Sequence, residues 1–283
     1  MSDDEFLFLR GCIHAHFGIH FDQDSKYILE KRLSGRLIDL GFPTFHEYCR
    51  YIKYNQGKEQ ELRAIMDVLT TNETYFFRES FQLKAFSDEI IPELIKKKTA
   101  LGTRSLRIWS AGCSTGEEPY TIAMLLSAIP ELAGWNIEII GTDISRKVLQ
   151  FAQRGVYGKS SFRTTAEIDL KRYFHQHDDG LKVNDPIREM VTIRYFNIFD
   201  ENRHSEIGKV DIVFCRNVMI YFDQQAKQRA IELFYSDLLE GGFLLLGHSE
   251  SLMNIPTTFT LRHFHNDMIY QKPDHVSLVV SGE

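Results

Sequence analysis

The spacing of hydrophobic residues divides the chain into a helical first part and an alternating second part. Residues 25–40 carry apolar side chains at intervals of three and four, the spacing of one helix face, at Ile28, Leu29, Leu33, Leu37 and Leu40. Gly41 and Pro43 follow directly, as expected past a helix C-terminus. Residues 5–14 show no strand alternation, and 44–54 and 58–69 look amphipathic. Residues 1–80 are therefore interpreted as an all-α N-terminal domain.

From residue 105 onward, short apolar runs alternate with helical segments. Strands are predicted at 106–111, 137–142, 191–196, 211–215 and 243–247, and helices at 117–129, 145–154 and 224–239. This alternation predicts an α/β fold of the Rossmann-like kind, with a mostly parallel sheet, over residues 81–273. Two further runs, 259–265 and 268–272, flank Asn266-Asp267 and predict an antiparallel hairpin at a sheet edge.

One stretch interrupts the alternation. Residues 155–190 contain the turn signal Asp178-Asp179-Gly180 and are interpreted as a small inserted β-subdomain with a hairpin. Residues 274–283 are expected to form a loose C-terminal tail.

Composition narrows the class of protein. The 283 residues are 43% hydrophobic and 25% charged with a net charge of -6, which disfavours a nucleic-acid partner. No apolar run approaches the roughly 20 residues of a membrane span, and the first ten residues lack the order of a signal peptide. We expect a cytoplasmic monomer that does not insert into membranes. The scattered four cysteines and the histidines at 14, 16 and 20 predict no metal site.

Polar and glycine residues follow each predicted parallel strand, where open α/β sheets bind ligands. They are Gly112 and Glu118 after the first strand, Asp143 after the second, Asn197 and Ile198 after the third, and Arg216, Asn217 and Tyr221 after the fourth. We therefore expect these residues to meet at one edge of the sheet.

The glycine loop and Asp143 indicate a nucleoside ligand without phosphates. Gly112 and Gly116 allow a tight turn, while Glu117 and Glu118 disfavour phosphate and favour a cationic ligand such as a sulfonium or an amine. A simple strand-to-helix turn with acidic first-turn residues explains the same pattern. Asp143 is placed to accept ribose hydroxyls, or alternatively to cap the following helix or to bond to the following turn. A dinucleotide would need a pyrophosphate site, so S-adenosylmethionine is the favoured ligand.

Four motifs resemble the chemotaxis receptor methyltransferase (CheR-type) family, over about residues 6–272. They are T-N-E-T-Y-F-F-R at 71–78, S-T-G-E-E-P-Y at 114–120, C-R-N-V-M-I-Y-F at 215–222 and G-H-S-E at 247–250. Without the resemblance, the first motif could be simple interdomain packing, since a lone stretch of this kind is more often core than site.

The resemblance implies methyl transfer from S-adenosylmethionine to glutamate side chains on cytoplasmic helices of chemoreceptors. It implies that the donor is bordered by Asn72, Thr74 and Arg78, that Glu118 takes its methionine end and Asp143 its ribose, and that Asn197, Ile198, Arg216 and Asn217 complete the pocket. Arg78 and Tyr221 would lie nearest the methyl group. Members that tether the receptor's C-terminal peptide tend to have a longer hairpin than residues 174–182 here, so tethering is not expected.

Further expectations follow from the chemistry. A glutamate is ionised at neutral pH and needs no general base, and no histidine is expected in the pocket. Water would be excluded by Tyr75, Phe76, Phe77, Tyr221 and Phe222. Lys26, Arg32 and Arg36, with Lys31, could attract acidic receptor helices, or could form an ordinary solvated face. The alternatives to receptor methylation are another protein substrate and a regulatory module that binds S-adenosylmethionine without turnover.

Overall fold

A computed structural model describes residues 1–70 and 73–274. The helices, labelled α1 to α11 in chain order, span Asp3–Phe17, Lys26–Leu40, Phe45–Tyr54, Lys58–Leu69, Ser80–Ala85, Ile91–Ala100, Glu117–Ser127, Arg146–Arg154, Glu167–Tyr173, Asp185–Glu189 and Gln224–Asp237. The strands, labelled β1 to β10, span Ser105–Ala111, Asn136–Asp143, Val156–Tyr157, Phe174–His177, Gly180–Val183, Val191–Tyr195, Val210–Cys215, Leu238–Leu246, Thr260–His263 and Met268–Gln271.

The N-terminal helices begin and end where local chemistry dictates. Ser2 and Glu5 form a reciprocal capping box at the start of α1, which ends at Gly18 in the left-handed conformation. Gly41, with φ of 73°, ends α2 as predicted. Because α1 ends at Phe17, His16 and His20 do not share a helix face.

The main sheet has seven strands in the order β6-β2-β1-β7-β8-β10-β9. The first five are parallel, and β10 and β9 form the predicted antiparallel hairpin at one edge. The predicted Rossmann-like α/β fold is confirmed. The chain runs outward from β1 to β2 and β6, and returns to β7 on the other side, so the order reverses between β1 and β7.

Two hydrophobic cores cover the two faces of this sheet, because successive side chains of a strand point to opposite faces. Trp109 of β1 packs with α1 to α4 and α11, whereas its neighbour Ile108 packs with α5 to α7 and the insertion. The inserted segment forms a separate sheet in the order β3-β5-β4, which is antiparallel. Its β4–β5 hairpin turns at Asp178 and Asp179.

The inserted segment contains two helices that were not predicted, α9 and α10, and outside it two further elements differ from the prediction. β8 begins at Leu238 instead of the predicted Phe243, because its pairing with β7 continues across Gly241 and Gly242. The pairing is irregular at this point, and Gly241 has φ of 74°. The sequence pattern does not predict the helical segment from Ser80 to Ala100. A π-helical stretch at Phe86–Ile90 breaks the 3.6-residue period, and Pro92 suggests an interruption. In the part of the chain described, no helix is long and apolar enough to cross a membrane.

Candidate active site

A cavity of about 430 Å³ lies at the carboxyl ends of β1, β2, β6 and β7, where the strand order reverses. Of the residues singled out by sequence for binding, catalysis or exclusion of water, those that line it are Arg32, Thr74, Tyr75, Arg78, Gly112, Glu118, Asp143, Asn197, Ile198, Arg216, Asn217, Tyr221 and Phe222. Asn72 lies outside the described residues. Lys26 and Arg36 are described but are not among the lining residues.

The glycine loop after β1 lies close against β2. The amides of Gly112 and Cys113 both donate to the Thr142 carbonyl, at 2.8 Å each. Gly112 has φ of 82°, and a Cβ there would lie 2.3 Å from Cγ2 of Val218. A side chain at Gly112 would therefore displace the segment that follows β7, on the opposite wall.

Asp143 organises this loop from the end of β2. Its two carboxylate oxygens accept hydrogen bonds from the amides of Ser114 and Ser145, each at 2.9 Å. Burial raises the pKa of Asp143, and these amide hydrogen bonds oppose the rise. The bond from the Ser145 amide is the contact with the following turn that was the alternative explanation for Asp143. Each oxygen keeps acceptor capacity for a ligand hydroxyl.

Glu118 forms a buried ion network with Arg216 and Glu79. Arg216 lies 3.1 Å from Glu118 and 3.0 Å from Glu79, and it also donates to the Arg78 carbonyl at 2.6 Å. Ser110 donates to Glu118 at 2.7 Å. Burial raises the pKa of Glu118, while the charge of Arg216 lowers it. Two carboxylates share one guanidinium, so the network of Glu79, Arg216 and Glu118 beside the cavity carries a net negative charge.

Glu117 has a different environment from Glu118, although the sequence grouped them. It accepts from Thr115 at 2.6 Å and from Ser161 of the inserted segment at 2.9 Å, and it is not among the described cavity-lining residues. Glu117 therefore joins the glycine loop to the insertion, and the expectation that both carboxylates face a ligand is wrong for this one.

Two buried polar atoms on the cavity wall have no hydrogen-bond partner within the described chain. They are Oγ of Ser114 and Oδ1 of Asn217, and both residues are in the left-handed region, with φ of 50° and 59°. Buried polar atoms are normally paired, so two unpaired atoms on residues that line the cavity favour a polar ligand there. Together with Glu118 and Asp143, they fit the amino and hydroxyl groups of S-adenosylmethionine.

The N-terminal domain closes one side of the cavity, which sequence reasoning missed. Apolar side chains from it line the wall, at Phe17, Ile19, Phe21, Ile28, Met66 and Leu69. The domain is tied across the cavity by Asn197, whose Nδ2 donates to the His16 carbonyl at 2.7 Å, and by the His20 amide, which donates to the Tyr221 carbonyl at 2.9 Å. Nothing in the local pattern of α1 or α4 distinguishes these residues from ordinary core.

Histidine was not expected in the pocket, yet His20 lines it. The main-chain bond to Tyr221 brings His20 there, because the chain bends at Gly18 after α1. Among the residues described, no group of three metal-binding side chains is present.

The segment 73–78 divides between rim and core. Arg78 donates to the Glu73 carbonyl at 2.8 Å, and the Tyr75 ring lies 5.7 Å from Arg78 and 3.8 Å from Arg163. Phe76 is fully buried in the second core, stacked on Phe162 at 5.4 Å, and Phe77 is likewise not among the lining residues described. The expectation that these two phenylalanines dry the pocket is therefore wrong.

The basic residues of α2 are largely engaged inside the N-terminal domain. Arg36 forms two hydrogen bonds with the buried Glu61, at 2.9 and 2.7 Å. Lys26 pairs with Asp3 at 2.6 Å, and Arg32 donates to the Leu69 carbonyl at the cavity. The α2 face is consequently less positive than its sequence suggests.

The mostly parallel sheet and the cavity at its switch point are the architecture of Rossmann-like S-adenosylmethionine-dependent methyltransferases, and the sequence matches that class. Residues 72–267 match the S-adenosylmethionine-binding domain of CheR methyltransferases, and residues 4–70 match their all-α domain. The chain therefore belongs to the CheR methyltransferase family.

Curated relatives agree over nearly the full chain. Chemotaxis protein methyltransferase 2 of Vibrio cholerae is 36% identical over 275 residues, covering 96% of this chain and 94% of the relative. Chemotaxis protein methyltransferase of Borreliella burgdorferi is 37% identical over 255 residues, 89% of each. Chemotaxis protein methyltransferase 1 of Pseudomonas aeruginosa is 33% identical over 279 residues, covering 95% of this chain and 98% of the relative.

Proposed function

We propose that this protein methyl-esterifies glutamate side chains on the cytoplasmic helices of chemoreceptors during chemotactic adaptation. The observation that carries the proposal is the position of Arg78 and Tyr221. Both line the donor cavity and both remain partly exposed, Tyr221 to 41%. A protein carboxylate can therefore approach the cavity from solvent beside a cation and a hydroxyl.

Donor binding is assigned to the carboxylates and to the walls around them. Glu118 receives the amino group and Asp143 the ribose, while Asn72, Thr74, Ile198 and Asn217 complete the pocket. Arg216 and Asn197 also line it, and they fix the loops through Glu118 and the His16 carbonyl respectively. When bound, S-adenosylmethionine would supply the methyl group from its sulfonium to a carboxylate oxygen and would leave as the thioether S-adenosylhomocysteine.

The protein's own contribution is alignment and exclusion of water. The acceptor glutamate is already ionised at neutral pH, since its pKa is about 4.3, so no residue has to remove a proton. Opposite charges disappear on the way to the transition state, and an apolar wall disfavours the separated charges. Phe17, Ile19 and Phe222 supply that wall.

Arg78 and Tyr221 are proposed to orient the acceptor by its non-reacting oxygen. Arg78→Ala is expected to lower turnover on the order of 10²-fold, the cost of a misplaced reactant, while S-adenosylhomocysteine still binds. Arg163→Ala is the matched control, because Arg163 packs on the same Tyr75 ring but is not among the described lining residues. Unchanged turnover in Arg78→Ala would refute this role.

Receptor docking on α2 is proposed to depend most on Lys31, because Lys26 and Arg36 are paired with Asp3 and Glu61 and Arg32 donates to the Leu69 carbonyl. Lys31→Glu should weaken binding to receptor membranes more at low than at high salt, because screening reduces the effect of an exposed charge. Arg36→Glu would also place a second carboxylate against Glu61, so its effect would mix stability with binding.

The reaction is tested with methyl-labelled S-adenosylmethionine and chemoreceptor-containing membranes. Alkali should release the label as methanol, which only a carboxyl methyl ester gives. Label that stays bound would indicate methylation of nitrogen and would contradict the glutamate assignment. Donor binding without incorporation would favour the regulatory module.

A further inference from the structure

The segment after β7, residues 216–222, carries four of the residues proposed to act at the cavity, namely Arg216, Asn217, Tyr221 and Phe222. Asn217 is in the left-handed region with φ of 59°, which a non-glycine residue rarely adopts. A single 3-10 turn at Met219–Tyr221 follows. A segment of this kind has few internal backbone hydrogen bonds, so its conformation depends on outside contacts.

The carboxylate of Glu250 supplies those contacts on the inner side. Its Oε2 accepts from the amides of Asn217 and Gly247, each at 2.8 Å, and its Oε1 accepts from the amide of Ile220 at 3.2 Å. Three backbone donors from two separate loops thus converge on one side chain. An ionised carboxylate accepts at both oxygens, and bonds to a charged acceptor are stronger than those between neutral groups.

Gly247 allows the end of β8 to lie close to Asn217 and Glu250, because the position has no room for a side chain. A Cβ at Gly247 would lie 2.9 Å from the Asn217 amide nitrogen and 2.9 Å from Oε2 of Glu250. The end of β8 and the segment after β7 are therefore in close contact, with the Glu250 carboxylate between their backbones.

The N-terminal domain holds the same segment from its other side. The Tyr221 carbonyl accepts from the His20 amide at 2.9 Å, and Ile19 forms an isolated antiparallel bridge with Phe222. Residues 216–222 thus lie between Glu250 and the backbone of residues 19–20. Of these two sides, the Glu250 side is the one that bonds the left-handed turn at Asn217.

We propose that Glu250 is a positioning residue for methyl transfer, whose carboxylate fixes residues 216–222 so that Asn217 and Tyr221 face the cavity. Glu250 itself is not among the described residues that line the cavity, so it acts through the segment. The inference rests on the proposed function where it concerns Tyr221, and on donor binding alone where it concerns Asn217.

Glu250→Gln tests the proposal with little change in shape. The amide group has one acceptor oxygen, so its NH2 must face at least one of the three backbone donors. The matched control is Glu89→Gln, because Glu89 also accepts backbone amides, from His265 at 2.7 Å and Asn266 at 3.2 Å, in a turn outside the cavity.

The first measurement is backbone hydrogen exchange of the ligand-free protein. Glu250→Gln should speed exchange in 216–222, and Glu89→Gln should leave that segment unchanged. The second is the affinity for S-adenosylhomocysteine, expected to fall about tenfold in Glu250→Gln, the effect of losing one hydrogen bond to a charged group, and to stay within about twofold in the control. Unchanged exchange and affinity in a folded Glu250→Gln protein would overturn the proposal.

Gly247→Ala perturbs the same contact while Glu250 itself is unchanged, because the added Cβ would lie 2.9 Å from both the Asn217 amide nitrogen and Oε2 of Glu250, and this variant serves if Glu250→Gln does not fold. Its added methyl group should also speed exchange in 216–222 and weaken S-adenosylhomocysteine binding. Methyl transfer to receptor membranes is measured separately. If wild-type protein does not esterify receptor glutamates, the proposed function fails, whereas exchange and affinity still decide the role of Glu250.

Discussion

The buried ion network at Arg216 makes a quantitative prediction about stability. Its guanidinium is only 3% exposed and is shared by Glu79 and Glu118, themselves 13% and 14% exposed. Arg216→Met keeps much of the length of the side chain and removes its charge. Two carboxylates then remain buried at one place without a counter-charge.

The expected cost is that of breaking a buried ion pair, about 3–5 kcal/mol, because the remaining charges keep their desolvation penalty and lose their partner. At about 2–4 °C per kcal/mol for domains of this size, the Tm should fall by about 6–20 °C. Loss of Arg216 also removes a charge that lowers the pKa of Glu118, so that pKa should rise further. Glu118 is proposed to receive the amino group, which S-adenosylhomocysteine shares with the donor, so a Glu118 displaced by the loss of Arg216 and less readily ionised should bind S-adenosylhomocysteine more weakly.

Thermal unfolding by calorimetry and titration with S-adenosylhomocysteine measure both effects. The control is Arg154→Met, whose pair with Asp179 is equally short at 2.9 Å but 55% and 66% exposed, so its loss should cost less than about 1 kcal/mol. Glu79→Gln added to Arg216→Met should restore part of the lost stability. Equal Tm values for Arg216→Met and Arg154→Met would refute the reasoning.

Three further predictions follow from the packing and the loops. Phe76→Ala should lower the free energy of unfolding in urea by about 3–5 kcal/mol, since the ring is fully buried. The affinity of the folded protein for S-adenosylhomocysteine should not change. Weakened binding would show that Phe76 contributes to the donor site. Burial lowers the pKa of His204, but hydrogen bonds to Asp237 and to the Ile198 carbonyl raise it overall, so the pair stabilises below about pH 6.5 and loses this effect as pH rises through the raised pKa. Asp237→Asn should therefore destabilise more at about pH 6 than at about pH 9, and equal losses at both would contradict this. Gly112→Ala should abolish tight S-adenosylhomocysteine binding by collision with Val218, and Val218→Ala should restore part of it; no recovery would leave backbone strain at Gly112 as the cause.

Much of the architecture was predictable because it depends on local periodicity. Helices α2 and α4, the parallel strands and the edge hairpin lie within a few residues of their predicted bounds. The missed helix at 80–100 and the early start of β8 are the exceptions, and both contain local irregularities, a π-helical stretch and a left-handed glycine. Such features depend on packing against neighbours that periodicity does not report.

The candidate site was predictable to the extent that it follows strand ends. Parallel strands bring their carboxyl ends to one edge, so the positions of Gly112, Asp143, Asn197 and Arg216 along the chain are enough to group them. Adjacent residues at a helix start point in different directions, so only one of Glu117 and Glu118 faces the cavity. The local pattern does not show which one, because the directions depend on how the helix packs. The same applies to Tyr75 and Phe76, where one ring lies at the rim and the next is core.

By itself, the sequence determined the class of fold, the order of its elements and the strand ends that meet at the cavity, because these depend on spacing of two and 3.6 residues and on turn chemistry. The tertiary structure alone decided which charges are available. Arg36 faces Glu61, Arg216 is shared by two carboxylates, and Glu250 binds three backbone amides. The Arg36–Glu61 pair joins residues 25 positions apart and the Arg216–Glu79 pair residues 137 apart. The strength of such pairings depends on burial, which is a property of the packed molecule.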